Sequence, residues 1–228
     1  IVEGARFDLM SAEFANEIKR IQREFKIILI IDEITSGWRM TNGGVYKINN
    51  LKPDIVVYGK SIGNGYPITA LVGKKKIMDY AQDTFISSTF WTESTGFAAA
   101  LKTIEIFTSK NISKFLVNQG EYIKIKWTEI SKRTKINISV NEFKPLITFK
   151  FLDFKDTDLI STIFTQEMLK EGFLATNSIY LSFSHKKYLI DTYLKSFEKV
   201  FHKIYKNKLN IKSLLKGNKK TSDFKRLT

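Results

Sequence analysis

A chain of 228 residues, with 43% hydrophobic and 26% charged side chains, is long enough to bury a core and lies in the ordinary globular range. It has no cysteine, which excludes disulfides and thiolate metal sites, and only two histidines, His185 and His202, so no metal site or Ser-His triad is expected. The net charge of +14 alone suggests a polyanion partner, but only six of the 37 basic residues are Arg and they are spread along the chain, so no nucleic-acid partner is expected.

Phe14, Ile18, Ile21 and Phe25 recur at helical spacing between Ser11, a candidate N-cap, and Lys26. The period then changes. Ile27 to Ile31 is a continuous apolar run and predicts a strand buried on both faces, as in a parallel sheet, stopping at Asp32-Glu33. Ile55 to Tyr58, after Pro53-Asp54, predicts a second strand ending at Gly59-Lys60, and Ile68 to Val72 a third. Strands alternating with helices predict an α/β architecture, whose ligand crevice lies outside the carboxyl ends of the strands. Asp32 and Lys60 both fall there.

From Thr95 to Phe107 the Ala-rich stretch predicts a helix, after which the pattern becomes less regular. A domain boundary is placed there, with residues 1–108 in a first domain and 109–228 in a second, α+β one. In the second domain Leu146–Phe151 and Ile179–Phe183 read as strands, and Asp158 to Glu171, stopped by Gly172, as a helix. Ile190, Leu194, Phe197, Phe201 and Ile204 share one face of a last helix, followed by a Lys-rich tail expected to be poorly ordered. No apolar run approaches the ~20 residues that span a bilayer, and the first six residues lack the pattern of a signal peptide, so no membrane partner and a cytoplasmic location are expected.

The chemistry concentrates in Asp32-Glu33-Ile34-Thr35-Ser36-Gly37-Trp38-Arg39 and in Gly59-Lys60-Ser61-Ile62-Gly63-Asn64-Gly65-Tyr66-Pro67. An acid ending one buried strand and a lysine ending another are what a Schiff-base cofactor needs: the amine condenses with an aldehyde, and the carboxylate keeps a pyridine nitrogen protonated. Taken singly, each residue has a plainer reading, Asp32 as a cap for its turn and Lys60 as a surface lysine. A nucleotide site is disfavoured, because Gly63-Asn64-Gly65 follows its lysine and lacks the Gly-Lys-Ser/Thr ending. Trp38 and Arg39 are read as core packing and a structural ion pair, and His185 as a structural hydrogen-bond partner.

Together these segments resemble the class III pyridoxal-phosphate aminotransferases, the group containing glutamate-1-semialdehyde aminomutase. The resemblance runs from about Ile1 to Ile204. It implies fold type I, with an incomplete large domain built on a mostly parallel sheet and a C-terminal small domain. It also implies pyridoxal 5'-phosphate as cofactor, with Lys60 as its Schiff-base lysine and proton shuttle and Asp32 as the partner of the ring nitrogen. Ile34 would pack on the ring. Thr89, in Ser87-Ser88-Thr89-Phe90-Trp91, would reach the phosphate of the neighbouring subunit, which implies a homodimer.

The implied reaction is amino-group transfer between a small-molecule donor and acceptor. Many ω-aminotransferases of this class carry an Arg for a substrate carboxylate in the C-terminal domain, whereas Ile179 to His185 contains none, which favours the aminomutase-like branch. Glu3 falls where the family has a Glu in mid-sequence, so the chain is expected to be a C-terminal fragment. A non-catalytic fragment serving as a partner subunit is the alternative.

Overall fold

The structure is a computed structural model and describes residues 1–5, 8–89 and 91–221. The chain divides into two compact units, Ile1–Val117 and Asn118–Thr228. The junction lies inside a helix.

In the first unit β1 (Val2–Glu3) is followed by α1 (Ala12–Phe25), whose Ser11 cap accepts the Phe14 N–H on its hydroxyl at 3.2 Å. The expected cap is thus in place. α1 stops at Lys26, which turns into the left-handed region. Then β2 (Ile30–Asp32) pairs in parallel with β1 and with β3 (Ile55–Tyr58), Ile31 lying opposite Val2 and Val56. β4 (Ala70–Gly73) closes the four-stranded sheet antiparallel to β3, giving the order β1-β2-β3-β4. A one-turn helix α2 (Lys75–Met78) and α3 (Thr95–Ser109) complete the unit.

The apolar run 27–31 is only partly a strand, and this corrects the sequence reading. Leu29 and Ile31 are buried, but Ile27 and Ile28 are exposed. The cause is Asp54. Its Oδ2 accepts the Leu29 N–H at 2.8 Å, so a side chain occupies the place where a strand partner would extend the ladder towards Ile27. The Asp54 carboxylate also takes Lys74 Nζ at 2.7 Å and Gln22 Nε2 at 3.1 Å. Burial alone pushes its carboxyl up, but these partners hold it below the usual carboxylate range. The third strand likewise starts two residues later than expected. Ile68 is spent on packing with Val56, Tyr58, Ile62 and Ala100 in the cluster that α3 joins. A second cluster seats Ala15 and Ile18 of α1 on Leu29, Ile31 and Leu51.

α4 (Ile112–Thr134) runs through the stretch that looked irregular in the sequence. Ile112, Leu116, Ile123, Trp127 and Ile130 do keep helical spacing and are all buried, but Gly120 and a lysine-rich outer surface dilute the pattern. In the second unit β5 (Ile138–Val140) and β7 (Ser178–Tyr180) flank β6 (Leu146–Phe151), both antiparallel to it, with β7 shorter than the expected 179–183 strand. The ladder reaches one pair further, the Leu181 N–H donating to Pro145 O in register, and stops there because proline has no N–H to return the bond; a tight turn through His185 follows.

Between β6 and β7 runs α5 (Thr157–Lys170), capped by Asp156, and the unit ends with α6 (Lys187–Lys206). The buried face of α6 contains Ile190, Leu194, Phe197, Phe201 and Ile204, as the spacing predicts. Trp127, Phe149, Phe164 and Phe197 form its aromatic centre: Trp127 stacks on Phe197 at 5.5 Å and meets Phe149 edge-on at 4.9 Å. The lysine-rich tail is held more firmly than expected. Lys208 pairs with Asp153 and Lys219 with Asp156, and the Lys216 N–H donates to Gln166 Oε1 at 2.8 Å. The tail beyond residue 221 lies outside the described residues.

Candidate functional site

β2 and β3 run parallel and in register, with Asp32 opposite Val57, so both strands deliver their carboxyl ends to the same edge of the sheet. Asp32 is the last residue of β2 and is half-buried. Its Oδ1 accepts the Ile34 N–H at 2.8 Å, the short turn expected of an Asp after a strand. Oδ2 accepts no hydrogen bond among the described residues. The capping role therefore occupies one carboxylate oxygen and leaves the other unused among the described residues.

β3 ends at Tyr58. Gly59 follows, and Lys60 opens a 3-10 turn over Lys60–Ile62. Lys60 is exposed, and its backbone lies in the left-handed region at φ 44°, a conformation that costs a side chain-bearing residue about 1 kcal/mol or more. Trp38 shares this feature at φ 54°. The loop after the lysine is tight: a Cβ at Gly63 would stand 2.2 Å from Tyr66 O, so only glycine fits.

Across these two strand ends, Lys60 Nζ donates to Thr35 Oγ1 at 2.8 Å. Thr35 itself is buried and sits in the turn closed by Gly37 N–H on Glu33 O at 2.7 Å. Arg39 Nε donates to Thr35 O at 2.8 Å, and Trp38 meets Phe107 edge-on at 5.7 Å, in line with the packing role read for Trp38. Ile34 lies against the same spot. A Cβ on Gly59 would touch its Cγ2 at 3.4 Å. Asp32, Ile34 and Lys60 are thus brought together at one edge of the sheet.

Thr89 is not among them. It is exposed in the irregular segment before α3, and no hydrogen bond joins it to Asp32, Ile34 or Lys60 among the described residues. Its neighbour in the motif, Phe90, lies outside the described residues. His185 accepts the Ser182 N–H on Nδ1 at 2.9 Å, and burial holds its pKa below the ordinary histidine value, so it has the structural role read for it.

Two residues of the site were not singled out in the sequence. Thr35 is one. The other is Glu33, fully buried, whose Oε1 accepts the Tyr46 N–H at 3.0 Å and whose Oε2 accepts the Ser36 hydroxyl at 2.6 Å. The carboxyl is packed so tightly that a Cβ on Gly44 would lie 2.5 Å from it. Burial pushes its pKa up, and the Ser36 and Tyr46 hydrogen bonds only partly oppose that. An Asp-Glu pair ending a strand is a usable signal here: side chains alternate, so if one carboxyl faces the crevice the next is directed into the protein.

A half-buried carboxylate with an unused oxygen, a primary amine at the end of the adjacent strand and an aliphatic side chain against Gly59 next to that amine fit a pyridine-aldehyde cofactor. Among the described residues no three His, Cys, Asp or Glu side chains group as a metal site, and no helix is long and apolar enough to cross a membrane.

Comparison with known proteins agrees. Residues 4–201 match the family described as Aminotransferase class-III. The glutamate-1-semialdehyde 2,1-aminomutase of Campylobacter hominis is 33% identical over 215 residues, covering 86% of this chain and 47% of that protein. A 3-aminobutyryl-CoA aminotransferase of Cloacimonas acidaminovorans is 33% identical over 150 residues, 64% of this chain and 36% of its own length. Among solved structures, the FumI protein of Sphingopyxis sp. MTA144, determined with PLP, superposes with a TM-score of 0.82 at 23% identity over 91% of this chain and 51% of its own. An ω-transaminase from Sphaerobacter thermophilus gives 0.76 at 18% identity over 85% and 48%. The chain spans between about a third and a half of the length of these relatives. The expected fold, type I with a mostly parallel sheet, is borne out by both superpositions. With the family match covering most of its length, this chain belongs to the class III aminotransferases, a family of enzymes.

Proposed function

We propose that this chain carries the cofactor lysine of a pyridoxal-phosphate enzyme that transfers an amino group between a small-molecule donor and acceptor. The observation that carries the reading is the placement of Asp32 and Lys60 at the carboxyl ends of adjacent parallel strands, tied together through Thr35. When bound, pyridoxal phosphate supplies an electron sink for the carbanion left as the substrate loses a proton. Lys60 is the residue that would hold the cofactor, and its amine, when free, would carry a proton between substrate carbon atoms. Asp32 would keep a proton on the ring nitrogen of the bound cofactor, and Ile34 would pack on the ring and exclude water there.

Thr89 is assigned to the phosphate bound by a second copy, which makes the working enzyme a homodimer. Exposed apolar side chains before and after it in the chain, Phe85 at 96% and Leu101 at 70%, support apolar surface to be covered in this part of the chain. Residues 1–108 are read as part of the cofactor-binding large domain and 109–228 as the small domain with its basic tail. Cytoplasmic location fits a cysteine-free chain.

A second reading, transfer within one substrate, is favoured by the aminomutase from Campylobacter hominis and by the absence of Arg between Ile179 and His185. The test is titration of the purified protein with pyridoxal phosphate, followed by addition of candidate amino donors. A visible absorption band that forms with the cofactor, is lost in Lys60→Ala, and bleaches with an amino donor supports the proposal. A band unchanged by Lys60→Ala contradicts it.

A further inference from the structure

We infer that Thr35 is a positioning residue for Lys60. A lysine at an exposed position samples many rotamers, and fixing one costs roughly 1.5–2 kcal/mol of side-chain entropy. Lys60 is exposed, yet its Nζ is held 2.8 Å from Thr35 Oγ1. The anchor is rigid. Thr35 is buried, is β-branched and so stiff about χ1, and its carbonyl is fixed by Arg39 Nε at 2.8 Å.

The chemistry of the bond suits an amine that must attack. Thr35 Oγ1 accepts one N–H of the amine, and in the neutral amine this leaves the lone pair available to a carbonyl carbon. On meeting an aldehyde, that nitrogen would bond the carbonyl carbon, its oxygen leaving as one water. Thr35 lies three residues after Asp32 on the same turn, so the bond also fixes the distance between the amine and the acid that would share one cofactor. The left-handed backbone falls at Lys60, the same residue whose amine reaches Thr35 in the turn that follows β2. A threonine that merely filled space would work equally well as valine.

The consequence for cofactor capture rests on the Lys60 assignment proposed above, but the positioning itself does not. Two variants separate hydroxyl from shape: Thr35→Val keeps the volume and loses the oxygen, and Thr35→Ser keeps the oxygen. In the cofactor-free full chain carrying [ε-13C]lysine, with the Lys60 signal assigned by its loss in Lys60→Ala, wild type and Thr35→Ser should show a restricted, shifted resonance. Thr35→Val should move it to the position of the mobile surface lysines. With limiting pyridoxal phosphate and borohydride trapping, Thr35→Val should label Lys60 about tenfold more slowly, as expected for loss of one hydrogen bond to a charged or polarised group, and Thr35→Ser within about threefold of wild type. All three proteins should share a thermal midpoint. A Lys60 resonance unmoved in Thr35→Val, or a Thr35→Ser protein as slow as Thr35→Val, overturns the inference. Absence of label at Lys60 in wild type would instead overturn the cofactor assignment, while the resonance still decides the role of Thr35.

Discussion

Glu33 and Asp32 are adjacent carboxylates in opposite situations, one fully buried and bonded and the other half-buried with an oxygen to spare. Replacing Glu33 by Ala strands the Tyr46 N–H and the Ser36 hydroxyl inside the protein, and two unsatisfied buried groups predict a loss of about 3 kcal/mol. Glu33→Gln keeps an acceptor for Tyr46 and should lose about 1 kcal/mol or less near neutral pH. Denaturant midpoints of the two variants check this. Asp32→Asn should leave stability nearly unchanged and still accept the Ile34 N–H. If Asp32 protonates the cofactor ring, the same change slows the half-reaction with an amino donor by at least about a hundredfold, the magnitude typical of lost electrostatic stabilisation. Rapid-mixing spectra of the cofactor check it.

Asp32, Ile34 and Lys60 were legible in the sequence because each lies in a short motif next to a strand end. Thr35 and Glu33 were not. Thr35 meets Lys60 from 25 positions away and Glu33 meets Tyr46 from 13, and such long-range hydrogen bonds leave no trace in linear spacing.

At the scale of elements, the segments read correctly were those with one dominant pattern. α1 has its Ser11 cap and α6 its single apolar face. Ser11→Ala should cost about 1 kcal/mol, seen as a lower unfolding midpoint of the first unit. Phe197→Ala empties the centre of the second unit, where Phe197 stacks on Phe201 at 4.1 Å, and should cost about 3–5 kcal/mol. What escaped the sequence were elements whose limits are set from elsewhere. β2 is cut short by the Asp54 carboxylate, β7 by the turn through His185, and α4 hides its repeat behind Gly120 and lysines.

At the scale of the whole chain, two buried carboxylates shift stability with pH in opposite directions. Glu167 is buried between Lys170 and Lys203. Burial pushes its carboxyl up, but the two ammonium groups and Gln166 outweigh that and hold it at about 2. Its folded pKa is below the unfolded value of 4.5, so it stabilises the fold above that value and the stabilisation is lost as pH falls towards about 2. Glu33 has the opposite sign. Its pKa is raised by burial, so its contribution is largest below the unfolded value and declines as pH rises through the folded one. Glu167→Gln should therefore flatten the acid limb of the stability profile. Glu33→Gln should gain on wild type as pH rises. Thermal unfolding across a pH series reads both.

The measurement that tests the central claim most directly is borohydride reduction of the protein incubated with pyridoxal phosphate, followed by peptide mass mapping. The account predicts a single reduced adduct, on the peptide containing Lys60, and its absence in Lys60→Ala. An adduct on another lysine, or none at cofactor concentrations that saturate related enzymes, contradicts it.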